Sequence, residues 1–202
     1  MQLALQTSMA TTNRSFICEV PVFFATSEGQ TRRIAKRIAS VLHDLGLDSY
    51  AIDMAGPEAA TIDWACVRGA LVGASIHAGK HQKAAARFVR AHAANLTRVP
   101  SAFFSVSLSA ASKNTKEVDA ARNLARAFPT ACGWAPSRID TVAGRLAYRE
   151  YGFFIRLVMK RIAKKEGAPT DTSRDYEMTN WEDVDKLARD MARRIHACAA
   201  VA

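Results

Sequence analysis

The chain of 202 residues has no C-x-x-C pair, and its four cysteines, at positions 18, 66, 132 and 198, stand singly with no histidine at ligand spacing. Neither a zinc site nor a disulfide framework is therefore indicated, and a reducing cytoplasm is the simpler expectation. No stretch approaches the ~18 uninterrupted apolar residues of a membrane span, and the first residues lack the basic leader and continuous apolar core of a signal peptide. Neither phosphate motif of the commonest kinds is present: there is no G-x-x-x-x-G-K-S/T and no G-x-G-x-x-G, and "GASIHAGK" at 73–80 has one residue too many and no Ser or Thr after its lysine. Acidic residues are also short. With 19 Asp and Glu against 28 Lys and Arg the formal charge is +9, which favours anionic partners. More than half of that excess falls between Arg145 and Glu166, where seven cations meet two glutamates.

What is present is a regular alternation. Apolar runs at Val20–Phe24, Tyr50–Met54, Gly69–Ala74, Ser101–Ser107 and Ile139–Ala143 read as strands covered on both faces, because they are continuous rather than alternating. Between them lie helical periods. Ile34, Ile38, Val41, Leu42 and Leu45 recur at helical spacing up to a stop at Gly46; His81–Leu96 and Thr115–Phe128 follow, and a last helix starts near Thr179, with Glu182 at capping-box spacing, and runs to about His196. Strands alternating with helices predict an α/β three-layer sandwich, a parallel sheet with helices on both faces. Residues 1–18 read as a loose extension and 19–198 as one domain, interrupted by a long insert at 145–178.

The loop after the first strand, Thr26, Ser27, Glu28, Gly29, Gln30 and Thr31, sits where a parallel sheet binds ligands, at the carboxyl ends of its strands and the start of a helix. Backbone N–H groups there favour an anion. The hydroxyls of Thr26, Ser27 and Thr31 can donate to phosphate oxygens, and Gly29 permits close approach. A doubly charged phosphate monoester can thus be held by neutral donors without a lysine. Plain helix capping by the same residues is the alternative.

"ATSEGQT" resembles the phosphate loop of flavodoxins. Together with "GASIHAGKHQKAAARFVRAHAANL", "VPSAFFSVSL", "GWAPSRIDTVAGRLAY" and "TDTSRDYEMTNWEDV", in that order, it is similar to the menaquinone-dependent protoporphyrinogen IX dehydrogenase branch of the flavodoxin-like superfamily, over about residues 20–196. The resemblance implies a five-stranded parallel sheet of order 2-1-3-4-5 and FMN as cofactor. Thr26 to Thr31 would hold its phosphate. Ser75, Ile76, His77 and Ala78 would form the loop on one side of the isoalloxazine ring, with Ser105, Val106, Ser107 and Leu108 on the other. It further implies oxidation of protoporphyrinogen IX to protoporphyrin IX, in haem biosynthesis, with a membrane quinone as acceptor. The chain departs from electron-shuttle flavodoxins in being basic and in having no Trp or Tyr at either ring loop, which leaves a ring face open for a reactant. No general base is needed, and no metal is expected: His77 and His81 lack a third ligand. His77 reads equally as a neighbour of the flavin or a plain surface residue.

In the insert, Phe154, Ile155, Val158, Met159 and Ile162 share one helical face, with Arg156, Lys160, Arg161 and Lys164 largely opposite. Such a helix can lie in the interface of an anionic membrane or pack on the domain with its basic side in water. The first alternative places the protein peripherally at the cytoplasmic face of the inner membrane. Arg145, Tyr148 and Arg149 follow the fifth strand and would emerge beside the flavin, where guanidinium groups could pair with propionates of the substrate. No nucleic-acid-binding motif accompanies the charge, so nucleic acid is not an expected partner. A flavodoxin-type electron carrier and a flavin-free interaction domain are the rival readings, and assembly into a homo-oligomer is left open.

Overall fold

A computed structural model describes residues 16–146, 148, 149, 161, 163, 164, 167 and 169–200. Five parallel strands run side by side in the order β2-β1-β3-β5-β6, with β1 at Val22–Ala25, β2 at Ala51–Asp53, β3 at Ala70–His77, β5 at Ser101–Ser107 and β6 at Arg138–Ala143. Counted among the parallel strands alone, this is the predicted order 2-1-3-4-5. A two-residue strand, β4 at Lys80–His81, folds back antiparallel on the end of β3. A separate two-stranded sheet pairs β7, Arg145–Leu146, with β8, Tyr176–Glu177, and so closes the base of the insert.

The pleat sorts the apolar residues of each strand between two helical layers. Val22 and Phe24 of β1, Leu71 of β3, and Ala102 and Phe104 of β5 face α1 (Gln30–Asp44) and the last helix, α5 (Trp181–Ala199). Phe23, Val72 and Phe103 face the opposite way, onto α3 (Lys83–Arg98) and α4 (Thr115–Ala131), with Ala59 of the short helix α2 (Pro57–Thr61). Alternation within continuous apolar runs is what two covered faces require. α5 buries Val184, Leu187, Met191 and Ile195 along one stripe, each worth about 1.5–3 kcal/mol relative to exposure.

Several boundaries differ from the sequence expectation, each for a local reason. The last residues of the presumed extension belong to the fold: Phe16 bridges to Ile62, and Cys18 is buried. β3 continues through Ser75, Ile76 and His77, because Ala78 and Gly79 adopt φ 49 and 73, the left-handed pair of a tight hairpin, and return the chain as β4. α3 therefore starts at Lys83, and His81 lies on a strand. The cap of α5 is Asn180, whose side chain accepts from Glu182 N, rather than Thr179. α2 and the β7–β8 pair are too short for their periodicity to register.

Candidate functional site

At the carboxyl end of β1 the chain turns sharply into α1. Thr26 Oγ1 accepts from Gly29 N at 2.9 Å, tying the turn across three residues. Gly29 sits at φ 85 as the residue preceding the helix, a conformation costly for a residue with a Cβ, and a Cβ built there would meet nothing within 4 Å. Ser27 and Glu28 are exposed along the turn. Thr31, in the first turn of α1, is fully buried, and its Oγ1 has no hydrogen-bond partner. A buried hydroxyl without a partner is costly. Here it stands where the first N–H groups of a helix also lack acceptors within the helix.

Gln30 is placed differently from the expectation. Its side chain is buried and turns away from the loop: Nε2 donates to Glu177 Oε1 at 2.9 Å and to Thr179 Oγ1 at 2.8 Å, while Oε1 accepts from Arg33. Arg33 also pairs with Glu177 at 2.9 Å, and Thr179 donates to Ala143 O at 2.7 Å. The network fastens α1 to the returning end of the insert and to the end of β6. The contacts of Glu177 and Thr179 with Gln30 were not read from the sequence, since no local pattern signals a contact across some 147 residues.

The second wall is the hairpin. Ser75, Ile76 and His77 are strand residues, Ala78 is in its turn, and His77 is exposed. Gln82, also missed, donates from Nε2 to Ser27 Oγ at 2.9 Å and to Ser75 Oγ at 2.8 Å, joining the first loop to the hairpin. His81 Nε2 lies 2.8 Å from Ser105 Oγ, with its ring against Phe103 and Phe128. Burial there pushes the imidazole down to about 4, so it is neutral near pH 7.

On the third side the expected loop is mostly strand. Ser105 is buried beneath the hairpin against His81, and Val106 is buried toward α1 and α5. Ser107, whose Oγ accepts from Ala110 N, and Leu108 form the rim. Leu108 packs on a small cluster of Leu146, Tyr148 and Ala163. Tyr148 is thus a packing residue: it is buried, and its hydroxyl donates to Pro169 O at 2.9 Å. Arg145 pairs with Asp175 at 3.7 Å, and Arg149 is exposed, its backbone N–H donating to Asp175. Lys164 is exposed, whereas Phe154, Ile155, Val158, Met159, Lys160 and Ile162 lie outside the described residues. Among the described residues no group of three His, Cys, Asp or Glu could hold a metal, and no helix is long and apolar enough to cross a membrane.

The turn after β1, the hairpin after β3 and the rim after β5 thus meet at one end of the sheet. Residues 21–173 match the family of flavodoxin domains. Over 171 residues the chain is 36% identical to the protoporphyrinogen IX dehydrogenase (quinone) of Escherichia coli strain K12, covering 85% of this chain and 93% of that one. The chain belongs to the protoporphyrinogen IX dehydrogenase (quinone) family. This is a family of oxidoreductases built on a flavodoxin domain. The relative of the same name in Leishmania major is 32% identical over 173 residues, covering 85% of this chain and 73% of that one. A mutant of the flavodoxin from Pseudomonas aeruginosa superposes with a TM-score of 0.53 at 11% identity, over 88% of this chain and 99% of that one, a likeness of fold. A flavodoxin domain implies a flavin cofactor. The residues fit one: the unpartnered Thr31 hydroxyl, the open space before Gly29 and the start of α1 together suit its anionic end.

Proposed function

We propose that the chain oxidises protoporphyrinogen IX to protoporphyrin IX, with FMN as cofactor and a membrane quinone, menaquinone or ubiquinone, as electron acceptor, a step of haem biosynthesis. The observation that carries this reading is the buried hydroxyl of Thr31 without an acceptor, at the mouth of the first loop of a chain in this family. In this reading Thr26 holds the loop in shape, and Ser27 and Thr31 donate to phosphate oxygens alongside the first N–H groups of α1. The hairpin residues Ser75 to Ala78 and the rim residues Ser107 and Leu108 would border the ring. FMN supplies two-electron chemistry, and three rounds account for the six hydrogens that separate porphyrinogen from porphyrin. The protein's own part is to bind, orient and exclude water.

Arg145 is paired with Asp175, which leaves the exposed Arg149 as the cation to meet a propionate. Arg149→Ala should raise the substrate KM about tenfold at unaltered FMN affinity; an unchanged KM removes that role. The reading also places the protein peripherally on the cytoplasmic face of the inner membrane. The insert is basic, and residues 64–116 hold eight Lys and Arg with no Asp or Glu.

The deciding experiment is anaerobic mixing of the purified, FMN-loaded protein with protoporphyrinogen IX and a menaquinone analogue, followed by porphyrin fluorescence. A quinone-dependent rise is expected. A yellow protein that passes electrons to redox partners but leaves porphyrinogen untouched is an electron carrier instead. A colourless one that refuses added FMN ends the flavoenzyme reading.

A further inference from the structure

We infer that Gln82 is a positioning residue that sets the hydroxyls of Ser27 and Ser75 as donors toward the flavin site, a deduction that rests on the FMN reading above. One atom carries the argument. The amide nitrogen of Gln82 lies 2.9 Å from Ser27 Oγ and 2.8 Å from Ser75 Oγ. A carboxamide nitrogen has two hydrogens and accepts nothing, so each serine oxygen takes one of them. Each serine then keeps its own hydrogen for another acceptor, and no acceptor for either is found among the described residues.

The two serines belong to different walls of the site. Ser27 is exposed on the turn that would hold the phosphate, and Ser75 is half-buried near the end of β3, on the wall that would border the ring in that reading. A single side chain thus fixes the separation of the two walls and the polarity of both hydroxyls. With the hydroxyls already acting as acceptors toward Gln82, an entering ligand meets two oriented donors and need not reorganise them.

The position of Gln82 in the chain is a second, independent observation. It precedes α3 as the N-cap, where Ser, Thr, Asp and Asn are preferred, and its side chain makes no capping hydrogen bond. The same chain caps α4 with Asn114 and α5 with Asn180, both of which accept from the helix. At α3 the local stabilisation is forgone and the side chain is given to the two serines. A local rule broken where two walls of a site meet is the mark of a functional demand.

Two substitutions separate this role from a structural one. Gln82→Ser shortens the side chain to one that can cap α3 but cannot span to Ser27 and Ser75. Gln82→Glu keeps the length and reverses the polarity, since a carboxylate accepts from both hydroxyls and turns their hydrogens away from the ligand. The apo forms are titrated with FMN and with riboflavin, following flavin fluorescence, and their melting temperatures are measured. For Gln82→Ser a melting temperature equal to or above the wild type is expected, with FMN affinity down about tenfold. For Gln82→Glu the FMN loss should exceed that and exceed the loss for riboflavin, which lacks the phosphate that Ser27 would meet. FMN affinity within threefold of the wild type in both variants overturns the inference, as does a loss that merely follows a fall in melting temperature. A wild type that binds riboflavin as tightly as FMN, or binds neither, overturns the phosphate reading itself.

Discussion

Thr31 and His81 show two ways in which a buried polar side chain bears on stability. The buried Thr31 hydroxyl lacks a partner, and an unmet buried polar group costs about 1–3 kcal/mol. Thr31→Val keeps the shape and removes that cost. The apo variant should therefore be more stable by about 1 kcal/mol in urea unfolding and bind FMN about tenfold more weakly; a variant that loses stability and keeps its affinity would show the hydroxyl to be structural. His81 acts through its proton. In the fold its affinity for a proton is lowered, to about 4 from an ordinary 6.5, because burial against Phe103 and Phe128 disfavours the charged form. Between those values the unfolded chain binds a proton that the folded chain refuses. The contribution of His81 is thus fully present above pH 6.5 and is lost as pH falls from there toward 4. Urea midpoints measured across that window should decline, and less steeply in His81→Phe; equal slopes in the two proteins would remove His81 as the cause.

Among the elements, the site depends on how closely β3 and β5 approach. Gly73 faces Phe104 of the neighbouring strand, and a Cβ at Gly73 would lie 2.1 Å from the ring's Cζ. Gly73→Ala is expected to destabilise the fold by about 2 kcal/mol in chemical denaturation, and a neutral result would mean that the ring has room to move. The five parallel strands and the long helices α1, α3, α4 and α5 were legible in the sequence, because runs such as Ser101–Ser107 and stripes such as Ile34, Ile38 and Leu42 state their periods over many residues. The hairpin was not. In "SIHAGKH" a strand end and its two-residue turn carry no apolar period, and the information lies in the left-handed Ala78 and Gly79. The first turn lies where the sequence puts it, between the end of β1 and the start of α1. The ties of Gln30 to Glu177 and of Gln82 to Ser27 and Ser75 were not legible, since a long-range hydrogen bond leaves no trace in local spacing.

For the whole molecule the distribution of charge matters more than its total. Lys80, Lys83, Lys113 and Lys116 are exposed near the starts of α3 and α4, at the end of the sheet that carries the site, and none has an ion-pair partner among the described residues. By contrast Arg33, Arg37 and Arg138 are matched by Glu177, Asp185 and Asp140. Cations near an anionic bilayer contribute about 1 kcal/mol each and are screened by salt. The protein should co-sediment with phosphatidylglycerol vesicles at low salt, release at high salt, and ignore phosphatidylcholine. Lys80→Glu with Lys83→Glu should weaken the binding; retention on neutral vesicles, or indifference to both changes, would count against this surface. The knot of Gln30, Arg33, Glu177 and Thr179 has a last consequence at this scale. It makes the return of the insert and the start of α1 a single mechanical joint. In the proposed reading, a membrane contact that shifts Glu177 would disturb the start of α1 where the FMN phosphate would sit, and by reciprocity bound FMN would bias that contact by the same factor.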